Sequence, residues 1–276
     1  DEVNMRNSKI VVGGVYPSFS CGPFTVLKYR SSREVDIEFL ETGYKTTVEA
    51  RRIEDGGRIK DLLHPSRHGV GYLDIGGREI TATKLGKIAY DRWGAMLARC
   101  YSDTDKNKAA RYSDVTVCTE WHSFVNYFKW FEENYKEGYD VDKDFLSSEG
   151  GRIYSPDTCV FLPRHLNVVF SDRRAQSKRG LPDGVRVSQE GSITAEMSID
   201  SKKTYLGTFK TITEAAASYL HARANYIENI AIKYHGEMSD VAFAAVLKKT
   251  AKMRGKAELL QERGEYEDSY GTSTRA

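Results

Sequence analysis

The sequence predicts a multidomain α+β fold, on three observations. Short apolar stretches separated by glycine turns fill the region from Lys9 to about Ile75. Two stretches with helical apolar spacing follow, and a strand-rich segment that ends in a capped helix comes after them. We divide the chain into a β-rich N-terminal module (1–78), a central core with upstream helices (79–171), a basic connector with a sheet-and-helix module (172–235), and a C-terminal helix and tail (236–276).

The N-terminal strands are read as KIVVGG, PFTVLKYR, EVDIEFL, GYKTTVEARRI and GRIKDLL. Val35, Ile37 and Phe39 alternate with Asp36 and Glu38, the period of a strand with one buried face. This module either packs against the central core or contacts nucleic acid, and Arg51, Arg52, Arg58 and Lys60 are its candidate contacts. Between Lys84 and Tyr101, Ala89, Trp93, Met96, Leu97 and Cys100 recur at helical spacing. A second helix follows Ser123, with Phe124, Tyr127, Phe128, Phe131 and Tyr135 as its inner face, and it ends between Asn134 and Gly138. Both aromatic stripes are read as scaffold.

Charge excludes little. The chain carries 41 basic and 39 acidic residues, a net +2, so any nucleic-acid surface is a local patch. Cys21, Cys100, Cys118 and Cys159 are far apart and form no CxxC pair, so structural zinc is not expected and the thiols are read as buried and reduced. No apolar run approaches the ~20 residues of a membrane span, and the first residues, DEVNMRNSKI, have no secretory hydrophobic region. The expected address is the cytoplasm, with no membrane partner.

The chemistry concentrates between Tyr139 and Asn167, YDVDKDFLSSEGGRIYSPDTCVFLPRHLN. A carboxylate-bearing hairpin arm is followed by a glycine turn, a Ser-Pro-Asp loop, an apolar strand and then the amide of Asn167. Asp142 and Asn167 are two hard oxygen donors at opposite ends of one small unit, suited to a single divalent cation. This segment resembles the ββα-metal core of HNH endonucleases. The motifs WGAMLARCY (Trp93–Tyr101) and VTVCTEWHSF (Val115–Phe124) resemble the region upstream of that core in phage-encoded homing-type proteins. The resemblance implies Asp142 and Asn167 as ligands of Mg²⁺ (or Mn²⁺). It puts Thr158, nine residues before Asn167, at the bracing position of the loop.

In that family a His follows the first ligand and deprotonates the attacking water. Here the residue is Lys143, which is protonated at neutral pH unless burial or a nearby cation lowers its pKa. Lys143, Asp144 and His165 are therefore the candidate catalytic residues. His165, two positions before Asn167, faces away from it on an ideal helix and also reads as a surface or packing residue. His122, at a helix start, is a weaker alternative. Asp142 and Asp144 also fit a turn pair that solvates the hairpin.

Downstream, SDRRAQSKRG offers Arg173, Arg174, Lys178 and Arg179 either as a solvated linker or as phosphate contacts. From Leu181 to about Ala231 the sequence gives a Leu-Pro-Asp-Gly turn, a short strand, strands SITAEMSID and KTYLGTF, and a helix capped by Thr211 with Glu214 or by Thr213 alone. Ala215, Ala216, Tyr219, Ala222 and Tyr226 form its packing stripe. YLGTF followed by TITEAA resembles an AP2-type DNA-binding domain, whose sheet lies in the DNA major groove. Alternation turns Ile193, Ala195, Met197 and Ile199 to the helix and Thr194, Glu196 and Ser198 outward, beside Arg186, Lys203 and Tyr205. Glu196 either accepts from a cytosine amine or marks a face that does not meet DNA. The expected partner is double-stranded DNA and the expected activity its metal-dependent cleavage; the alternative is a non-catalytic DNA-binding protein on a degenerate HNH fold. Ser239 to about Gln261 reads as a last helix, and beyond Glu262 composition suggests disorder.

Overall fold

The computed structural model describes residues 10–102, 114–143, 145–146, 152–170, 180–200, 202–263, 266–267 and 273–274. The chain is α+β, with its strands in several small sheets. Two compact units emerge, Asp1–Asn134 with Arg152–Pro156, and Tyr135–Gly151 with Asp157–Ala276.

In the first unit, β1 (Val15–Pro17), β2 (Pro23–Ser31), β3 (Glu34–Phe39) and β4 (Lys45–Val48) form an antiparallel sheet in sequence order. Val35, Ile37 and Phe39 are fully buried, as their alternation predicts. Burial of each such side chain stabilises by about 1.5–3 kcal/mol. Two expected strands are absent. Residues 10–14 turn at Gly13 (φ +81°) and leave Val11 and Val12 exposed. The segment after Val48 becomes the short helix α1 (Ala50–Glu54), and 57–64 is irregular. There Ile59 is buried, and Asp61 accepts from the Thr42 hydroxyl and the Leu63 amide.

After α2 (Gly77–Ala82), the helix α3 (Lys84–Tyr101) starts at Thr83, whose hydroxyl accepts from the Gly86 amide. It buries Ala89, Trp93, Met96 and Leu97, while Cys100 is half-buried. β5 (Thr116–Val117) pairs in parallel with β7 (Ile153–Tyr154). A 3-10 turn, Thr119–His122, leads into α4 (Phe124–Asn134), which buries Phe124, Tyr127, Phe128 and Phe131. The Trp93 indole donates to the Trp121 carbonyl at 2.7 Å, locking α3 to this turn.

In the second unit, β6 (Tyr139–Asp142) and β8 (Val160–Pro163) pair antiparallel, and α5 (Arg164–Phe170) follows β8 without a loop and packs on both. β9 (Val185–Val187), β10 (Ile193–Ile199) and β11 (Lys202–Phe209) form an antiparallel sheet in the order β11-β10-β9. It is covered by α6 (Ile212–Lys233), which opens on a capping box between Thr211 and Glu214. Ala195 and Met197 are buried, with Ala215 and Ala216 of α6 in the core behind Ala195; Tyr219, Ala222 and Tyr226 are half-buried. Gly184 sits at φ +76° in a turn closed by the Val185 amide on the Pro182 carbonyl, and a Cβ there would meet the Tyr219 ring at 2.1 Å.

α7 (Asp240–Arg263) packs along α6 and sends Ala257 and Leu260 into the core behind the sheet. The two helices are clamped by Glu228, which accepts from the buried Thr250 hydroxyl and from Arg254 Nη2 at 2.6 Å. Beyond Glu262, Tyr266–Glu267 and Ser273–Thr274 pair as two-residue strands. No helix among the described residues is long and apolar enough to cross a membrane.

Candidate functional site

The hairpin that carries Asp142 is fixed by register. Tyr139, Asp140, Val141 and Asp142 face Pro163, Leu162, Phe161 and Val160 in turn. Residues directly opposite in an antiparallel pair share a face, so Asp140 and Asp142 lie on the face of Leu162 and Val160. The first residue of α5 reaches that same face, where Arg164 Nε donates to Asp140 Oδ2 at 3.1 Å. Three positions further, Asn167 shares Arg164's side of the helix. Two positions further, Asp142 shares Asp140's side of the strand. Three helix residues advance about 4.5 Å and two strand residues about 6.6 Å, which are comparable steps away from the Arg164–Asp140 pair. Both are half-buried.

The opposite face of the hairpin is structural. Tyr139 donates to Glu237 and lies beneath the Lys136 ammonium, which pairs with Glu237 at 3.0 Å. Burial, with the Glu237 carboxylate, pushes the Tyr139 phenol up to about 12. It stays neutral across the working pH range and is no proton carrier.

Lys143 directly follows Asp142 and is half-buried, whereas Asp144 lies outside the described residues. Thr158 stands two residues before β8, half-buried, with its hydroxyl 3.9 Å from the Cys159 sulfur. Cys21 and Cys159 are buried, but Cys100 and Cys118 are only half-buried, which corrects the expectation of four buried thiols. The oxygen donors of Asp142 and Asn167 suit a hard cation that keeps several of its waters, as Mg²⁺ usually does. Among the described residues no group of three or more His, Cys, Asp or Glu side chains forms a fuller cage.

His165 is placed on another front. Its Nε2 lies 3.3 Å from the Tyr226 hydroxyl and 3.4 Å from Asp200 Oδ1, and Tyr226 donates to Asp200 at 2.8 Å. Asp200 occupies the β10–β11 turn at φ +47°, a conformation Asp tolerates better than most side chains. Arg223, one turn before Tyr226, donates to the Val169 carbonyl near the end of α5 and to the Tyr219 hydroxyl. His165 therefore ties α5 to α6 and the turn, through partners that no local sequence signal announced. His122 belongs to the first unit, edge-on to the Tyr101 ring.

A second candidate surface is the outward face of the three-stranded sheet, hollowed into a groove of about 730 Å³. Arg186, Thr194, Glu196 and Lys203 line it, with the turn Leu181–Gly184 as one wall. Thr194 is half-buried opposite Arg186, and Lys203 is exposed opposite Ser198. Tyr205, 62% exposed, stands opposite Glu196 and bonds the Thr208 hydroxyl. Glu196 forms an ion pair with Arg186, Nε to Oε2 3.0 Å, so the acid's partner on this face is a strand neighbour. Arg173, Arg174, Lys178 and Arg179 lie outside the described residues. Of the N-terminal candidates, Arg51 pairs with Asp55 and Arg58 lies over the Phe19 ring.

No protein family, curated protein or solved structure matches the chain.

Proposed function

We propose that the chain is a metal-dependent DNA endonuclease of the HNH type, with the groove of the three-stranded sheet acting as an AP2-like surface that supplies site preference. The observation that carries this reading is the Arg164–Asp140 pair at 3.1 Å, which ties the helix bearing Asn167 to the strand bearing Asp142. A single Mg²⁺ or Mn²⁺ held by Asp142 and Asn167 would stabilise charge on the scissile phosphate and the leaving oxygen. Lys143, next to the carboxylate, supplies either a base or a positive charge for the phosphate. In this reading His165, engaged by Tyr226 and Asp200, serves as a packing residue.

The groove adds a contact surface of mixed charge, with Lys203 exposed in it and Tyr205 exposed further along the same strand. Such a face grips phosphates through its cations and reads base edges through Arg186 and Thr194. The second reading, a DNA-binding protein without catalysis, is favoured by Lys143 at the position where a titrating base is needed.

Purified protein incubated with supercoiled plasmid and Mg²⁺ or Mn²⁺ tests both. The endonuclease nicks the plasmid, and Asp142→Ala and Asn167→Ala abolish nicking while melting like the parent, since both positions are half-buried ligands. Plasmid binding without nicking selects the second reading.

A further inference from the structure

The outward face of α7 plays no part in the site described so far. Between Val241 and Ala257 this helix carries Lys248, Lys249, Lys252, Arg254 and Lys256, and no acid. Its apolar stripe, Ala242, Val246, Ala257 and Leu260, is buried. Lys248, Lys252 and Lys256 are exposed at spacings of four residues along the solvent side. The two acids of α6, on which α7 packs, have partners of their own. Glu214 bonds the backbone of the α6 N-terminus, and Glu228 is held by Thr250 and Arg254.

The start of this run adjoins the hairpin. Lys249 places its ammonium 5.2 Å from the centre of the Phe145 ring. Phe145, three residues beyond Asp142, is buried edge-on against Phe170 at the end of α5. The cationic face thus begins beside the strand end that holds Asp142 and Lys143.

We propose that the Lys248–Lys252–Lys256 face of α7 is a second phosphate-binding surface, which grips the backbone of a DNA duplex beside the hairpin. Consecutive lysines stand about 6 Å apart along the helix axis, close to two phosphate steps of about 3.4 Å on one DNA strand. A bilayer is the poorer fit, because a membrane-surface helix needs a continuous apolar face to insert, and the stripe Ala242, Val246, Ala257 and Leu260 of α7 is covered, with Val241, Leu247 and Leu259 as the exposed large apolar side chains. The proposal rests on the reading of the chain as a DNA-acting protein.

The test uses the full chain and a 30-base-pair duplex of arbitrary sequence, with binding followed by fluorescence anisotropy across a salt series. Lys248→Gln, Lys252→Gln and Lys256→Gln are combined; Gln keeps helix propensity close to that of Lys, and circular dichroism checks helicity. Removing one lysine–phosphate interaction lowers the log-log salt slope by about 0.9. The triple variant should fall by up to roughly 2.7, and its loss of affinity should be largest at low salt.

A control triple, Lys84→Gln with Lys87→Gln and Lys129→Gln, removes equal charge from exposed sites on α3 and α4 and should change the slope less. An unchanged slope in the α7 variant, or an equal loss in the control, overturns the proposal. So does loss of binding to phosphatidylserine-containing vesicles with the duplex slope intact, which would assign the face to lipid. Plasmid nicking by the unmodified chain is scored separately. Duplex binding without nicking sinks the nuclease reading and leaves the α7 comparison valid, whereas no duplex binding at low salt overturns both.

Discussion

Arg186 and Glu196 form an ion pair at 3.0 Å across adjacent strands, on the outward face of the three-stranded sheet. Arg186 is well exposed and Glu196 partly so, and such pairs contribute only about 0–1 kcal/mol to stability. Their larger consequence is for charge, because Glu196 offsets the arginine that a phosphate or a guanine would meet. Glu196→Gln should therefore raise low-salt duplex affinity and steepen the log-log salt slope by up to about 0.9. Arg186→Gln should do the reverse, with both variants melting within about 1 kcal/mol of the parent. Anisotropy titrations at two salt concentrations measure this, and identical affinities would remove the face from DNA binding.

Under the endonuclease reading, the chemistry depends most on Lys143. If it acts as base or charge stabiliser, Lys143→Ala should reduce nicking by roughly 100-fold or more. Lys143→His should preserve or raise the rate by restoring a group that titrates near neutral pH. A plasmid-nicking time course at fixed Mg²⁺ decides, and a rate in Lys143→Ala equal to the parent's would show that the side chain is only solvated beside the carboxylate.

Elements whose signal is local were legible in the sequence. The alternation of Val35, Ile37 and Phe39, the stripe through Trp93 and Leu97, and the Thr211–Glu214 capping box each lie within a few residues, and each forms as expected. KIVVGG misled because β-branched residues fit a strand whether or not a partner strand is available. Val11 and Val12 are instead exposed beside a glycine turn. The helix over Ala50–Glu54 is too short to show a period. His165 could be placed only through Asp200 and Tyr226, which are distant in sequence and which folding brings together. Asp142 and Asn167 lie on one short hairpin and the helix fused to it, so a short stretch of sequence carries both donors.

The Glu228 clamp between α6 and α7 gives a pH-dependent stability. The Arg254 guanidinium and the Thr250 hydroxyl hold the Glu228 carboxyl below its ordinary value of 4.5. A depressed folded pKa means that the unfolded chain takes up the proton first. The contribution is therefore complete above about pH 4.5 and is lost as pH falls through the lower folded value. Arg254→Ala should destabilise by about 1.5–3 kcal/mol at pH 7, the range for a hydrogen bond to a charged group. Urea midpoints at pH 7 and pH 3 check the sign: Glu228→Gln should differ from the parent more at pH 7 than at pH 3. A difference that grows on acidification would refute the clamp.

Gly184 is the tightest point between the sheet and its helix. Its φ of +76° is a conformation that costs an L-residue about 1–2 kcal/mol, and its Cβ would lie 2.1 Å from the Tyr219 ring. Tyr219 also accepts from Arg223, which in turn holds the Val169 carbonyl of α5. Displacing the ring therefore strains the link to the helix that carries Asn167. Gly184→Ala should destabilise the chain by more than the backbone term alone, roughly 2–4 kcal/mol. Tyr219→Ala removes the obstacle but leaves the φ cost. In a double-mutant cycle the pair should therefore be less destabilised than the sum of the two single variants, by about 1 kcal/mol or more. Additive costs would show that the backbone conformation, and not contact with Tyr219, is what requires glycine.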